Sequence, residues 1–325
     1  MDEGYASGTM AITGEIGRKE RWDHVRARLG IDRMGHRVTP GLYRIGTPGR
    51  DSPVLVTANY SLSFDALRSA IKGRDAFILV LDTKGINVWC AAGKGTFGTD
   101  EVVKAVKAVS LDNIVEHRRL ILPQLGAPGV SAMGVKEGCG FKVVYGPVRA
   151  EDLPAFLDTG ECTETMRTVR FDLKDRLVLA PVEVRNYRWM FIIMVLAALF
   201  VPFYGPMAAI MTLAGIFLFP ALLPYLPGRD LSLKGMVLGA VLVVPFALLQ
   251  LSWDTGVVTW LSIAGECLLL VPWLGYMALN FTGSTPFASR TGVKREIFTY
   301  IPLMALMAVA GGAMAVLAAI GWGWA

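Results

Sequence analysis

The sequence predicts an α/β domain built on a Rossmann-like, mostly parallel sheet, followed by an all-α membrane domain of five helices. Three observations lead there. Short apolar runs alternate with amphipathic segments through residues 53–157. From Trp189 onward charge falls away and long apolar stretches take over. Finally, Lys and Arg flank alternate stretches in that second half, the pattern expected of membrane spans.

In chain order, residues 1–20 are polar and Gly-rich and read as a disordered leader; no signal peptide is expected there. The soluble domain is expected over 21–185 and the membrane domain over 186–325. Trp22, Val25 and Leu29 recur at helical spacing, predicting a short surface helix over 21–30, with His24 and His36 as solvated side chains. Pro53–Ala58 reads as a strand, Phe64–Ile71 as a helix capped by Ser61 or Ser63, and Ala76–Leu81 as a strand buried on both faces. A helix follows over Asp100–Val109, starting at Thr99 as its cap. Arg119–Leu122 and Gly140–Tyr145 read as further strands, and Glu151–Leu157 as a short helix.

Between the Ala76–Leu81 strand and the Asp100 helix lies Asn87-Val88-Trp89-Cys90-Ala91-Ala92-Gly93-Lys94. Cys90 thus falls just beyond the carboxyl end of a strand, where open α/β sheets bind ligands. If Asn87 caps a short helix, Cys90 occupies its first turn, a position that favours thiolate. Trp89 offers a broad apolar face, Ala91, Ala92 and Gly93 leave room above the helix, and Lys94 offers a positive charge. Thr57 and Asn59, Gln124–Gly129, and Gly146–Arg149 leave their strands on the same edge through small residues. Any one such loop is explained by tight turns; three beside the Cys90 segment suggest close approach to a large flat ligand.

Other chemistry is poorly supported. The net charge of +5 comes without a clustered basic stripe, so nucleic acid is not an expected partner. Cys90, Cys139, Cys162 and Cys267 form no CxxC pair and no zinc or iron–sulfur spacing. Gly93-Lys94 lacks the upstream Gly and the following Ser or Thr of a P-loop.

The Asn87–Lys94 run resembles the cap-helix motif of the corrinoid protein of microbial mercury methylation. The segment around it resembles the corrinoid domain of the large subunit of the corrinoid iron–sulfur protein. The membrane tail also fits the first family. The resemblance implies a cobalamin-type corrinoid with Cys90 as the lower axial ligand of its cobalt. It implies contacts from Asn87, Val88, Trp89, Ala91, Ala92, Gly93 and Lys94, and from Thr57, Asn59, Leu125, Ala127, Gly129, Tyr145 and Gly146. The implied reaction is methyl transfer to Hg(II), forming methylmercury. A methyltetrahydrofolate-linked donor or methyltransferase would supply the methyl group, and a ferredoxin-like iron–sulfur partner the electrons. Two departures bear on this. The Asp-x-His-x-x-Gly pattern that supplies an imidazole ligand in many cobalamin proteins is absent, as is an iron–sulfur cluster domain. The second argues for the membrane-bound relative over the acetyl-CoA pathway protein. A methyl carrier of one-carbon metabolism, a non-catalytic membrane-tethered thiol or metal-binding module, and a transporter with a cytoplasmic regulatory domain are the competing readings.

Five spans are expected, at about 189–204, 207–226, 235–251, 257–280 and 298–322. Arg185 and Arg188, then Arg229 and Lys234, then Arg290, Lys294 and Arg295 mark the inner side of a cytoplasmic membrane. The amino-terminal domain is then cytoplasmic and the carboxyl terminus outside. Glu266 is the one ionisable residue deep in an expected span, a candidate for substrate or ion passage or a hydrogen-bonded structural carboxyl.

Overall fold

The computed structural model describes residues 4–32, 35–197, 204–286 and 288–322. It divides into two compact units, Met1–Arg170 and Phe171–Ala325.

The first unit is a six-stranded sheet: β1 Thr9–Ile12, β2 Gly41–Ile45, β3 Val54–Ala58, β4 Ala76–Leu81, β5 Arg119–Leu122 and β6 Lys142–Tyr145. The spatial order is β1-β2-β4-β3-β5-β6, parallel except where β2 meets β4 antiparallel. Alternation along β4 fills both faces of the sheet. Phe77, Leu79 and Leu81 pack into one core with α3 Val88–Lys94, α4 Thr99–Ala108, α5 Leu111–Ile114 and α6 Ala132–Cys139. Ala76, Ile78 and Val80 pack into a second core with α2 Ser61–Ala70 and α7 Leu153–Thr159. This is a doubly wound, three-layer arrangement.

Several expectations are corrected. The supposed leader contains β1, which pairs in register with β2 (Thr9 with Leu42, Ile12 with Ile45), and also Tyr5, which packs against the core; residues 1–3 lie outside those described. Polar composition misled there because an edge strand needs only one apolar side. His24 and His36 are not solvated. His24 Nε2 lies 2.8 Å from Asp65 Oδ2, and His36, only 3 % exposed, bonds Asp23 through Nδ1 and Ile31 O through Nε2, both at 2.7 Å. These contacts tie α1 Arg18–Arg28 to α2. The caps differ too. Ser61 Oγ donates to Asp23 instead of capping α2, and Thr99 Oγ1 accepts from Ser131 N instead of capping α4.

The second unit is helical: α8 Glu164–Arg167 closes the first unit, and α9 Leu173–Leu177 and α10 Ala180–Ala197 open the second. The chain continues with α11 Tyr204–Leu213, α12 Phe219–Leu222, α13 Leu231–Trp253, α14 Val257–Asn280 and α15 Arg290–Trp322. A π-helical turn, Ala214–Leu218, joins α11 to α12. Among the described residues four helices are long and apolar enough to cross a membrane: Tyr204–Leu222, Leu231–Trp253, Val257–Gly283 and Thr291–Gly321. The span expected at 189–204 runs into residues 198–203, outside those described.

Close helix contacts in this unit rest on small residues. A Cβ on Gly235 would lie 2.5 Å from Ala278 Cβ, and one on Gly275 would lie 2.6 Å from Met236 Cγ, so α13 and α14 touch along a glycine seam. Glu266 is fully buried, and Gln250 Nε2 donates to its Oε2 at 2.6 Å.

Candidate functional site

Four strand ends meet at one edge of the first unit. Parallel register sets Ala58 beside Leu81 and Leu122 beside Tyr145, so the loops after β3, β4, β5 and β6 emerge together. The chain leaves β3 through α2 on one face, and leaves β4 and β5 through α4 and α6 on the other. The topological switch point, where such sheets take ligands, therefore falls here. A cavity of about 320 Å³ opens at this edge. Thr57, Asn87, Val88, Trp89, Leu125 and Gly146 line it, joined by Ser63, Ala66 and Leu153 from the α2 and α7 side.

The α3 helix sits at the mouth. Asn87, in extended conformation (φ −63°, ψ 160°), caps it, its Oδ1 accepting from Cys90 N at 2.9 Å. Gly95 ends the helix in the left-handed region at φ +83°, where a side chain would be strained. Helical periodicity then splits the motif in two. Val88, Ala91 and Ala92 are buried against the core, whereas Trp89, Cys90, Gly93 and Lys94 form one exposed face. Trp89 is 45 % exposed despite its size. A Cβ on Gly93 would meet nothing within 4 Å, so the space above this face is open. It carries a free thiol, a free aromatic face and a cation side by side.

The loops place the remaining candidates differently from one another. Thr57 is buried and forms part of the cavity wall. Asn59 is 2 % exposed, and its side chain is committed inward. Its Oδ1 accepts from Thr83 N (3.0 Å) and Gly85 N (2.9 Å) and lies 2.9 Å from Thr83 Oγ1, while Nδ2 donates to Asp82 at 3.2 Å. Asn59 thus clamps the turn 82–86 that delivers Asn87 and α3. The small residues of 126–129 serve helix packing. A Cβ on Gly129 would strike Phe97 O and come within 3.0 Å of Ala92 Cα, and one on Gly126 would lie 2.6 Å from Phe97 Cε1. Ala127 is half-buried outside the cavity lining. Tyr145 OH donates to Val130 O at 2.6 Å, bracing the next loop, and burial pushes its phenol pKa up. Gly146 is in the wall, where a Cβ would press on Ile121 Cγ2 at 3.2 Å.

Sequence reasoning missed Asp82 and Thr83. Burial alone would raise the Asp82 pKa, but Lys84, through its ammonium and its backbone N–H, together with Asn59, outweighs that and holds it below the usual value. Thr83 is fully buried and its hydroxyl also reaches Ile86 O at 2.7 Å. The signal was present in Asp82-Thr83-Lys84-Gly85, a polar turn directly after a buried strand. Lys84 and Gly85 do turn through the left-handed region, at φ +59° and +73°. Tyr5 adds a brace from the amino terminus, accepting from Asp82 N and donating to Glu101. Among the described residues no group of three or more His, Cys, Asp or Glu could hold a metal ion.

Comparison with known proteins bears on this same segment. Residues 29–157 match the family model described as the CO dehydrogenase/acetyl-CoA synthase delta subunit. The gamma subunit of the acetyl-CoA decarbonylase/synthase complex of Methanopyrus kandleri is 34 % identical over 123 residues, 37 % of this chain and 26 % of that protein. The corrinoid/iron-sulfur protein large subunit of Moorella thermoacetica is 34 % identical over 122 residues, 37 % of this chain and 27 % of that protein. The corresponding gamma subunit of Archaeoglobus fulgidus is 31 % identical over 123 residues. This chain therefore spans about a quarter of the length of these relatives. Residues 29–157, the stretch that the family model matches, contain the strand-end cavity and α3.

Proposed function

We propose that the first unit binds a corrinoid over α3 and that the protein transfers a methyl group to Hg(II). The observation that carries this reading is the exposed thiol of Cys90 on an unobstructed helix face beside the strand-end cavity, within residues 29–157 that match the CO dehydrogenase/acetyl-CoA synthase delta subunit model, in a chain 34 % identical over 122 residues to a corrinoid/iron-sulfur protein large subunit. The residues fit the group. Gly93 leaves clearance for a broad ring, Trp89 offers it an apolar surface, and the cavity offers an enclosed space for an appended group. One soft sulfur ligand suffices for a metal that brings its remaining ligands in a macrocycle.

When bound, a corrinoid supplies a cobalt centre able to carry a methyl group from donor to acceptor. The chain's own residues do the rest. Asn87 fixes the first turn of α3, which carries Cys90, the residue whose sulfur would hold the group's metal. Asn59 and Thr83 hold the turn before it, so that Sγ is positioned before any cofactor arrives. Sulfur donation from Cys90 would make a held metal electron-rich, chemistry suited to a soft, electron-poor acceptor such as Hg(II). Lys94 lies on the same face, where it can meet a carboxylate, an amide or a phosphate of the bound group. A folate-linked methyl donor or methyltransferase and a ferredoxin-like electron donor would have to approach this exposed face.

The second unit would hold the protein in the cytoplasmic membrane through five spans, 189–204 being the first, with the amino-terminal unit inside and the carboxyl terminus outside. Arginines 185, 188 and 229 with Lys234, Lys294 and Arg295 support that orientation. Terminal reporter fusions test it.

The deciding experiment is an anaerobic absorption spectrum of the full-length protein reconstituted with cobalamin. Bound corrinoid whose cobalt bands shift in Cys90→Ala is expected; a folded protein that retains none refutes the reading. A second reading, a membrane-bound methyl carrier for one-carbon metabolism, is favoured by the relatives' names as subunits of acetyl-CoA decarbonylase/synthase complexes. It predicts the same spectrum with no methylmercury formed from Hg(II).

A further inference from the structure

The second unit contains a cavity of about 410 Å³ that neither the site above nor membrane anchoring explains. Its walls come from α9, the connection before α13 and the first turn of α13, the connection after α14, and the start of α15. Arg176, Arg229, Lys234 and Arg295 line it against Asp230 and Glu296.

Both acids are already engaged. Asp230 pairs with Arg295 and accepts from Tyr300 OH, and Glu296 Oε2 accepts from Ser232 N (2.9 Å) and Ser232 Oγ (2.8 Å). Lys234 is committed as well, its Nζ donating to Leu223 O and Leu226 O at 2.9 and 2.6 Å. Arg176 is different. It is 7 % exposed, and its Nε has no hydrogen-bond partner among the described residues. A guanidinium buried to that degree with an idle N–H is costly unless an acceptor completes it. Ser289 Oγ already accepts from Gly292 N, which leaves its own hydroxyl proton to donate into the cavity.

Apolar side chains, Phe171, Leu223 and Val293, share the walls with these charged groups. The cavity shares Ser289 and Val293 with an open groove that runs on over Ile297 and Phe298, which are 43 % and 71 % exposed. That groove lies on α15, and an 18-residue apolar stretch of its span Thr291–Gly321 is only 17 % buried. We propose that this cavity binds the phosphate of an anionic glycerophospholipid, with Arg176 as its central contact, Arg229 at the rim, and an acyl chain along Ile297 and Phe298. A phosphate accepts from several guanidinium N–H groups at once, which completes Arg176. The Lys- and Arg-flanked side of the helices is also the side on which anionic lipid headgroups bind basic pockets. A soluble phosphate ester shares the headgroup chemistry but leaves the apolar groove unused.

The test uses the full-length protein, delipidated in detergent and titrated by native mass spectrometry. The probes are phosphatidylglycerol, phosphatidylcholine with the same acyl chains, and inorganic phosphate. Phosphatidylglycerol is expected to bind saturably and about tenfold tighter than phosphatidylcholine, with inorganic phosphate unable to displace it. Arg176→Gln is expected to weaken phosphatidylglycerol binding about tenfold, and Arg229→Gln, an exposed change that leaves folding intact, several-fold. Equal binding of the two lipids, or wild-type binding in both variants, overturns the proposal. Inorganic phosphate competing at equal concentration overturns it too, by moving the occupant to a soluble phosphate. None of these readouts depends on a corrinoid.

Discussion

Replacing Asn59 by Leu tests whether the site is positioned by a buried polar clamp. Leu keeps the volume but removes the acceptor of Thr83 N and Gly85 N, at 3.0 and 2.9 Å. Thr83 N keeps a second acceptor, Leu81 O at 3.1 Å, and the Thr83 hydroxyl keeps Ile86 O, so neither is orphaned outright. The bonds of Asn59 with Gly85 N and with Asp82 Oδ1 have no such replacement, so the loss is about the net worth of two hydrogen bonds, about 2 kcal/mol in all. If the turn opens locally, that corresponds to about 30-fold faster amide exchange. Hydrogen exchange on the full-length protein reads it, with segment 83–90 as the reporter and the buried face of α4, Val102–Val106, as internal reference. Acceleration confined to 83–90 is expected. Unchanged exchange there would refute the clamp, and equal acceleration in α4 would show general unfolding instead.

The same turn should depend on pH. The Asp82 pKa is depressed in the fold, so its stabilising contribution is present above the ordinary carboxylate range and lost as pH falls through the folded value. Protection of 83–87, measured against the intrinsic exchange rate at each pH, is expected to fall below about pH 4, ahead of α4. Asn87→Ala removes the cap bonded to Cys90 N and should cost about 1 kcal/mol in a denaturant titration, with the corrinoid spectrum weakened beyond that loss of stability. The two glycines of the motif region should behave oppositely. Gly129→Ala forces a Cβ into Phe97 O and the Ala92 backbone and should destabilise by about 1–3 kcal/mol. Gly93→Ala, with nothing within 4 Å, should stabilise α3 by about 0.5–1 kcal/mol while lowering corrinoid uptake by crowding the open face. In the second unit, Glu266→Gln should be tolerated, because the amide still accepts from Gln250 Nε2 and adds a donor where Gln250 Oε1 has none. Gln250→Leu should cost about 1–3 kcal/mol by leaving the buried carboxyl without its partner. Thermal melts in detergent separate the two.

What the sequence determined by itself was what local pattern and chain direction fix. Ala76–Leu81 is apolar at every position, so it had to be covered on both faces, and parallel strands had to place their following loops on one edge. Asn87 three residues before Cys90 is a cap by spacing alone, but the open face of α3 was not legible: Ala91 and Ala92, expected to leave room above the helix with Gly93, are buried against the core. The long apolar stretches after residue 204 needed no fold to be recognised.

Tertiary structure decided whatever depends on partners distant in sequence. Asn59, Gly126 and Gly129 carried the same residue types whether they touched a ligand or the protein. Only the fold set Asn59 against Thr83 and Gly85, and Gly129 against Ala92, so that these residues build α3's seat instead of its ligand surface. Ser61 and Thr99 looked like caps, yet Asp23 and Ser131, brought in from elsewhere, took their hydroxyls. Burial of His36 and pairing of β1 likewise required neighbours that composition does not reveal. A polar side chain serves whichever partner the fold brings within hydrogen-bond reach, and that choice is made in three dimensions.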